Sequence, residues 1–122
     1  MTIHVDTISF DAADPQAQGR WWAAAMGWEM SEADPGEVVV SPPKDSGQAE
    51  WLFIAVPEGK TVKNRVHLDL RPDDQAAEVA RFEALGATRV EIGQSADPNT
   101  TWVVLADPEG NEFCILRARP PC

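Results

Sequence analysis

Thr7-Ile8-Ser9-Phe10 leading into Asp14-Pro15, and His67-Leu68-Asp69-Leu70 leading into Pro72-Asp73-Asp74, open the same unit twice, about sixty positions apart. Each strand-like run precedes a helical stretch that closes on glycine, Gly27 in the first copy and Gly86 in the second. Three strand candidates follow each glycine, ending in the apolar runs Leu52-Phe53-Ile54-Ala55-Val56 and Phe113-Cys114-Ile115-Leu116. A βαβββ unit stated twice predicts two modules on one plan, and lining up the copies marks positions that share a cleft.

The boundaries are written locally. Asp14 is a good N-cap, and Pro15 takes the first helical position, where its missing N–H costs nothing. Gln18, Trp21, Trp22 and Ala25 recur at helical spacing as one buried stripe, and Gly27 is the stop. In the second helix Asp73 or Asp74 caps, Ala76, Val79, Ala80, Phe82 and Leu85 form the stripe, and Gly86 ends it. Strands are expected at 3–11, 27–31, 37–41, 50–56, 64–70, 87–92, 101–106 and 111–117. Segments 31–36, 41–50 and 93–100 are rich in Pro, Gly, Asp, Asn or Ser and read as loops. Pro57-Glu58-Gly59-Lys60 joins the halves and is short, so 1–122 reads as one domain, with modules at about 3–57 and 63–117. The expected class is α+β: two tandem βαβββ modules forming a half-open mixed-sheet barrel, a cup, with helices on its outer face.

Composition removes several function classes. The 122 residues are 43% hydrophobic, enough for a core and too many for a disordered chain. No stretch approaches the ~20 apolar residues of a membrane span, and Met-Thr-Ile-His lacks the opening of a signal peptide, so a cytoplasmic location is expected. Cys114 and Cys122 make neither a disulfide framework nor a zinc motif. A net charge of −10 argues against nucleic acid or an anionic membrane as partner. The charge is uneven: residues 1–60 hold ten acids and three bases (−7), residues 61–122 ten acids and seven bases (−3). Lys63, Arg65, Arg71 and Arg81 lie near the second copy's first strand and helix, either as a rim that attracts an anionic ligand or as a solvated face.

Successive strand residues face opposite sides, so alternation sorts candidates for the site. In 65–70, Val66, Leu68 and Leu70 form an apolar face, with Arg65, His67 and Asp69 opposite. In 112–116, Phe113 and Ile115 oppose Glu112, Cys114 and Leu116. In the first strand Ile8 and Phe10 oppose Thr7, Ser9 and Asp11, although Ile3 and Val5 break the pattern. If the apolar faces meet the helices, Thr7, Ser9, Arg65, His67, Asp69, Glu112 and Cys114 line a concave surface with Ile54 at its floor, a reasonable small-molecule site. His67, with Asp69 beside it, reads as a general base, as a hydrogen-bond donor to a ligand, or as a polar histidine without chemistry. Arg65 either bridges to Asp69 or Glu112 or meets the ligand. Cys114 packs as a small apolar residue or serves as a nucleophile. Trp21 and Trp22 read as core, Trp28 and Trp51 as strand residues, and Trp102, after a polar loop, either as core or as an aromatic wall of the cup.

Lys63-Asn64-Arg65-Val66-His67-Leu68-Asp69 and Asp107-Pro108-Glu109-Gly110-Asn111-Glu112-Phe113-Cys114 resemble the glyoxalase-like branch of the vicinal oxygen chelate superfamily. Phe10-Asp11, Asp14-Pro15 and Trp21-Trp22-Ala23-Ala24-Ala25-Met26-Gly27-Trp28 fit the same branch, so the resemblance covers about residues 3–117. It implies that each module forms half of a cup, among relatives that include glyoxalase I, extradiol dioxygenases and antibiotic-binding resistance proteins. It also implies metal positions on the first and last strand of each module, which fall here on Thr7, Ile54, His67 and Cys114, paired by the repeat as Thr7 with His67 and Ile54 with Cys114. Two plausible ligands among four positions fall short of the three that a catalytic metal commonly takes, so no metal or cofactor is expected. The expected function is a glyoxalase/bleomycin-resistance-type binding protein for a small, anionic or aromatic organic molecule. The alternative is a divergent lyase or isomerase-like enzyme with His67 as acid/base. The resemblance further implies a homodimer, for which the open edges of half-barrels supply a motive.

Overall fold

The Asp14 carboxylate accepts from the Ala17 amide at 3.1 Å and, with Pro15 in the first turn, starts helix α1 (Pro15–Met26). Gly27 closes it in the left-handed region at φ 69°, where a residue without Cβ sits free of strain, and its N–H donates to the Ala23 carbonyl. The computed structural model describes residues 2–119; Cys122 lies outside them. The chain divides after Gly59 into two compact units.

In the first unit, β1 (Thr7–Ala12), β2 (Glu29–Glu32), β3 (Glu37–Ser41) and β4 (Glu50–Ala55) form a sheet in the order β1-β4-β3-β2. β1 and β4 run parallel and the other neighbours antiparallel. Helix α1 packs on β3 and β4. Register puts Val38 opposite Phe53 and Val40 opposite Trp51, and all four are buried beneath the helix with Trp22. The Trp51 ring meets Trp22 edge-on at 5.3 Å, Trp28 at 5.0 Å and Phe10 at 5.6 Å. Burying rings of this size contributes on the order of 2–3 kcal/mol each. Module one is thus held by a tryptophan-centred core.

The second unit repeats the plan with β5 (Asp69–Leu70), β6 (Thr88–Arg89), β7 (Val103–Ala106) and β8 (Glu112–Ile115) in the order β5-β8-β7-β6. Again the first and last strands pair in parallel. Helix α2 (Gln75–Ala84) is capped by Asp74, whose carboxylate accepts from the Ala77 amide at 3.1 Å. It packs on β8, with Phe82 and Phe113 rings 5.5 Å apart. The Gln75 amide donates to the carbonyls of Thr101 and Ile115, tying the helix start to the strands. Each module is therefore α+β, an open four-stranded sheet with a helix on one face.

Several expected elements are shorter. Residues 3–6 do not join β1, and Ile3 and Val5 stand exposed. Trp28 and Trp102 precede their strands, 87–92 keeps only two strand residues, and the loop at 93–100 contains a 3-10 turn at Gln94–Ala96. Ala76 and Ala80 are exposed and Leu85 is 38% exposed, so the α2 stripe narrows to Val79 and Phe82. The largest correction is at 64–70, where pairing begins only at Leu68, whose carbonyl accepts from the Cys114 amide at 2.9 Å. Val66 is 76% exposed instead of lying on an inner apolar face. Side-chain bonds, described below, hold residues 60–67 in place of a ladder.

Gly19 lies in α1 against Val38, and a Cβ built on it would fall 2.5 Å from Val38 Cγ1. Alanine gains about 1 kcal/mol of helix propensity, but overpacking costs about 1–3 kcal/mol. Gly19→Ala is expected to lower the thermal unfolding midpoint and Gly19→Ala/Val38→Ala to recover part of the loss; a raised midpoint in the single variant would show that the contact yields freely.

Candidate functional site

In module two the turn between β7 and β8 is a rigid base. The Asp107 carboxylate accepts from the amides of Glu109 and Asn111 at 3.0 and 2.9 Å, and Gly110 supplies the positive φ of 87°. Asn111 then receives the Asn64 side-chain amide at 3.0 Å. Next to it the Lys60 ammonium meets the Glu112 carboxylate at 3.0 Å, with the Glu112 side chain 6% exposed. Burial pushes that carboxyl upward, but the hydrogen bond and charge of Lys60, with backbone amides, outweigh it and hold it below 4.5. These contacts lay residues 60–64 along the turn and bring Lys63 and His67 to the sheet.

His67, Asp69 and Cys114 converge there, their nitrogen, oxygen and sulfur atoms all within 4.8 Å of one another. Asp69 and Cys114 are register partners on the parallel pair β5–β8, which places their side chains on one face. Val104, the β7 partner of Cys114, supplies apolar floor on the same face. Lys63 Nζ lies 2.9 Å from His67 Nε2. An ammonium offers only hydrogens, so in this pair Nε2 accepts and the ring hydrogen sits on Nδ1. Cys114 is 5% exposed; burial first, then the Asp69 carboxylate, pushes its thiol up to about 11. At neutral pH it is a protonated thiol and a poor nucleophile.

The other candidates divide by module. Arg65 is exposed and makes no ion pair with Asp69 or Glu112 among the described residues; the partner of Glu112 is Lys60. Trp102 is half-buried just ahead of β7. In module one Thr7, Ser9 and Ile54 share the helix-free face of the first sheet with Val39 and Leu52. The Thr7 hydroxyl donates to Asp6 at 2.8 Å. Lys60 was not expected at the site, and Lys63 was expected only as part of a basic rim, not as the partner of His67.

Register also corrects the pairing of the copies. His67 stands two residues before Asp69, the partner of Cys114, while the partner of Ile54 is Asp11, and two residues before that is Ser9. The pairings of Thr7 with His67 and of Ile54 with Cys114 therefore do not hold together: with Thr7 matched to His67, Cys114 matches Leu52. The helix N-caps Asp14 and Asp74 stand seven residues after Thr7 and His67, so the Thr7–His67 match keeps the helices in step while the last strands differ by two. With either alignment Ile54 offers no donor atom, so the four positions implied by the superfamily do not fit its metal.

A family model described as a glyoxalase-like domain matches residues 7–116. Among solved structures, a glyoxalase/bleomycin resistance protein/dioxygenase family enzyme from Burkholderia phytofirmans PsJN is 20% identical over 96% of this chain and 100% of its own, with a TM-score of 0.72. TnmS3, an antibiotic-binding protein from Streptomyces sp. CB03234, is 23% identical over 98% and 99%, with a TM-score of 0.68. A bleomycin resistance determinant encoded on the transposon Tn5 is 16% identical over 97% and 100%, with a TM-score of 0.63. At these identities the likeness establishes the fold. No curated protein matches the chain in sequence at comparable significance.

Lys60→Met leaves the Glu112 carboxylate buried without its cation, a loss of about 1–3 kcal/mol at pH 7. The lowered Glu112 value means that its stabilising contribution is present above pH 4.5 and is lost as pH falls through that lowered value. The gap between the variant and the parent in urea unfolding should therefore be widest at neutral pH and shrink in acid; a gap independent of pH would contradict the assignment.

Proposed function

The chain belongs to the glyoxalase-like domain family of the vicinal oxygen chelate superfamily, and on that premise we propose that it binds a small organic molecule on the helix-free face of module two. The observation that carries this reading is the convergence of Lys63, His67 and Asp69 beside the apolar Val104 and Cys114. Polar groups converging beside apolar surface are the usual makings of such a site. Arg65, exposed and without an ion pair among the described residues, and the hydrogen on His67 Nδ1 favour an anionic or carbonyl-bearing ligand, with Trp102 offering an aromatic surface. Thr7, Ser9 and Ile54 make up the corresponding face of module one. The antibiotic-binding and bleomycin-resistance proteins that share the fold support a binding role. The site is taken to be free of the superfamily's four-position metal, because Ile54 cannot ligate one.

A lyase or isomerase-like activity with His67 as acid/base is the second reading. It is the weaker one, because Lys63 occupies the Nε2 lone pair that a base would use. We also infer a homodimer working in the cytoplasm. Exposed Ile3 and Val5 precede β1, an edge strand that a second copy would cover, and no helix among the described residues is long and apolar enough to cross a membrane.

A thermal-shift panel of small organic anions and aromatic compounds, run with a chelator, tests the binding reading. A ligand at a hundred times its dissociation constant stabilises by about 2.7 kcal/mol, a shift of several degrees. His67→Ala and Arg65→Ala should remove the shift. A panel without effect, or a shift that survives both variants, contradicts the reading, and catalytic turnover lost in His67→Ala would favour the enzyme instead. Sedimentation equilibrium should give twice the chain mass; a monomer at micromolar concentration would overturn the dimer.

A further inference from the structure

Module two holds a donor set that the superfamily's four positions do not describe. We propose that His67, Asp69 and Cys114 together bind one thiophilic divalent cation, zinc foremost, in a three-donor site lying wholly within module two. The set uses two of the four implied positions, adds Asp69, and needs nothing from module one. It does not depend on the binding role proposed above.

The donors are an imidazole nitrogen, a carboxylate oxygen and a sulfur, a combination suited to zinc and its softer relatives and unsuited to magnesium or calcium. Their atoms lie within 4.8 Å of one another. In a tetrahedral zinc site the donor atoms stand about 3.5 Å apart, so closing on the ion takes side-chain movements of about 1 Å. The backbone already supplies the rest: Asp69 and Cys114 are register partners on parallel strands, and His67 precedes Asp69 by two residues. Asp69 is exposed and gives the ion a way in, while Cys114 lies beneath it. Binding replaces the thiol hydrogen with the metal and releases one proton to solvent. Three protein donors leave a fourth position for water or a ligand, as in zinc sites that do chemistry.

Lys63 opposes this loading. If the metal takes His67 Nε2, it displaces the lysine from that atom. If it takes Nδ1, the neutral ring must carry its hydrogen on Nε2, and two donors then face each other where Lys63 now sits 2.9 Å away. Either way Lys63 has to swing out, so it sets the affinity without being a ligand.

The test is metal titration of the untagged, reduced full chain carrying Cys122→Ser, so that Cys114 is the only thiol. Zinc uptake is followed by equilibrium dialysis, and cadmium or cobalt binding by thiolate-to-metal charge-transfer absorption. One equivalent per chain is expected, with no uptake of magnesium. Cys114→Ser should abolish the charge-transfer band, and Asp69→Asn and His67→Gln should each weaken zinc by at least roughly tenfold. Lys63→Met should tighten it by roughly tenfold, the scale on which outer-shell partners act. Circular dichroism of every variant separates lost ligands from lost fold, and Lys63→Met tests the site with all three donors intact. Absence of the band in the parent, uptake well below one equivalent, zinc binding unchanged in Asp69→Asn, or no gain in Lys63→Met overturns the proposal. Because the titration contains no organic ligand and the thermal-shift panel contains chelator, failure of either reading leaves the other standing.

Discussion

Strands that pair in parallel cannot be joined by a tight turn, and both modules are built around such a pair, β1 with β4 and β5 with β8. The chain must leave the sheet, cross over its face and return. The helix and the intervening antiparallel strands are that return path, and the helix covers the face it crosses. One face of each sheet is thereby committed to packing against its helix. On the opposite face lie Thr7, Ser9 and Ile54 in module one and Asp69, Glu112 and Cys114 in module two.

How much of this was legible in the sequence depends on how far apart the partners are. The caps at Asp14 and Asp74 and the stop at Gly27 involve residues within one helical turn, and the sequence located them. β3 and β4 were legible because Val38-Val39-Val40 and Trp51-Leu52-Phe53-Ile54 are apolar runs bounded by turn-rich segments. Residues 64–67 misled because Arg65, Val66 and His67 continue the alternation of a strand, while the segment is held by side chains far along the chain, Asn64 on Asn111 and, just ahead of it, Lys60 on Glu112. The pairings of Thr7 with His67 and of Ile54 with Cys114 could not both hold for a related reason. Strand pairing differs by two positions between the copies, which counting a fixed repeat cannot detect.

The duplicated faces have diverged in chemistry more than in geometry. Where module two sets His67, Asp69 and Cys114 together, module one, with Thr7 matched to His67, sets Thr7, Ser9 and Leu52. The nitrogen, carboxylate and sulfur donors of that set occur in only one copy. The cores differ as well: module one packs a group of tryptophans under α1, whereas module two relies on Phe82, Phe113 and aliphatic strands. Because each sheet closes its own ladder, one copy's open face can change without disturbing the hydrogen bonding of the other.

Residues 60–67 are fastened by individual side-chain bonds, and that shapes their motion. A strand in a ladder comes away cooperatively, whereas a segment held by an ion pair and an amide contact can release one anchor at a time. Opening near Lys63 and His67 therefore need not melt the sheet, and its free energy is a small fraction of that for global unfolding. Amide exchange in this stretch should run ahead of exchange in β8, although the two touch. Entry to the face and retention on it thus become matters of local kinetics, adjustable by single surface substitutions while the fold beneath keeps its stability.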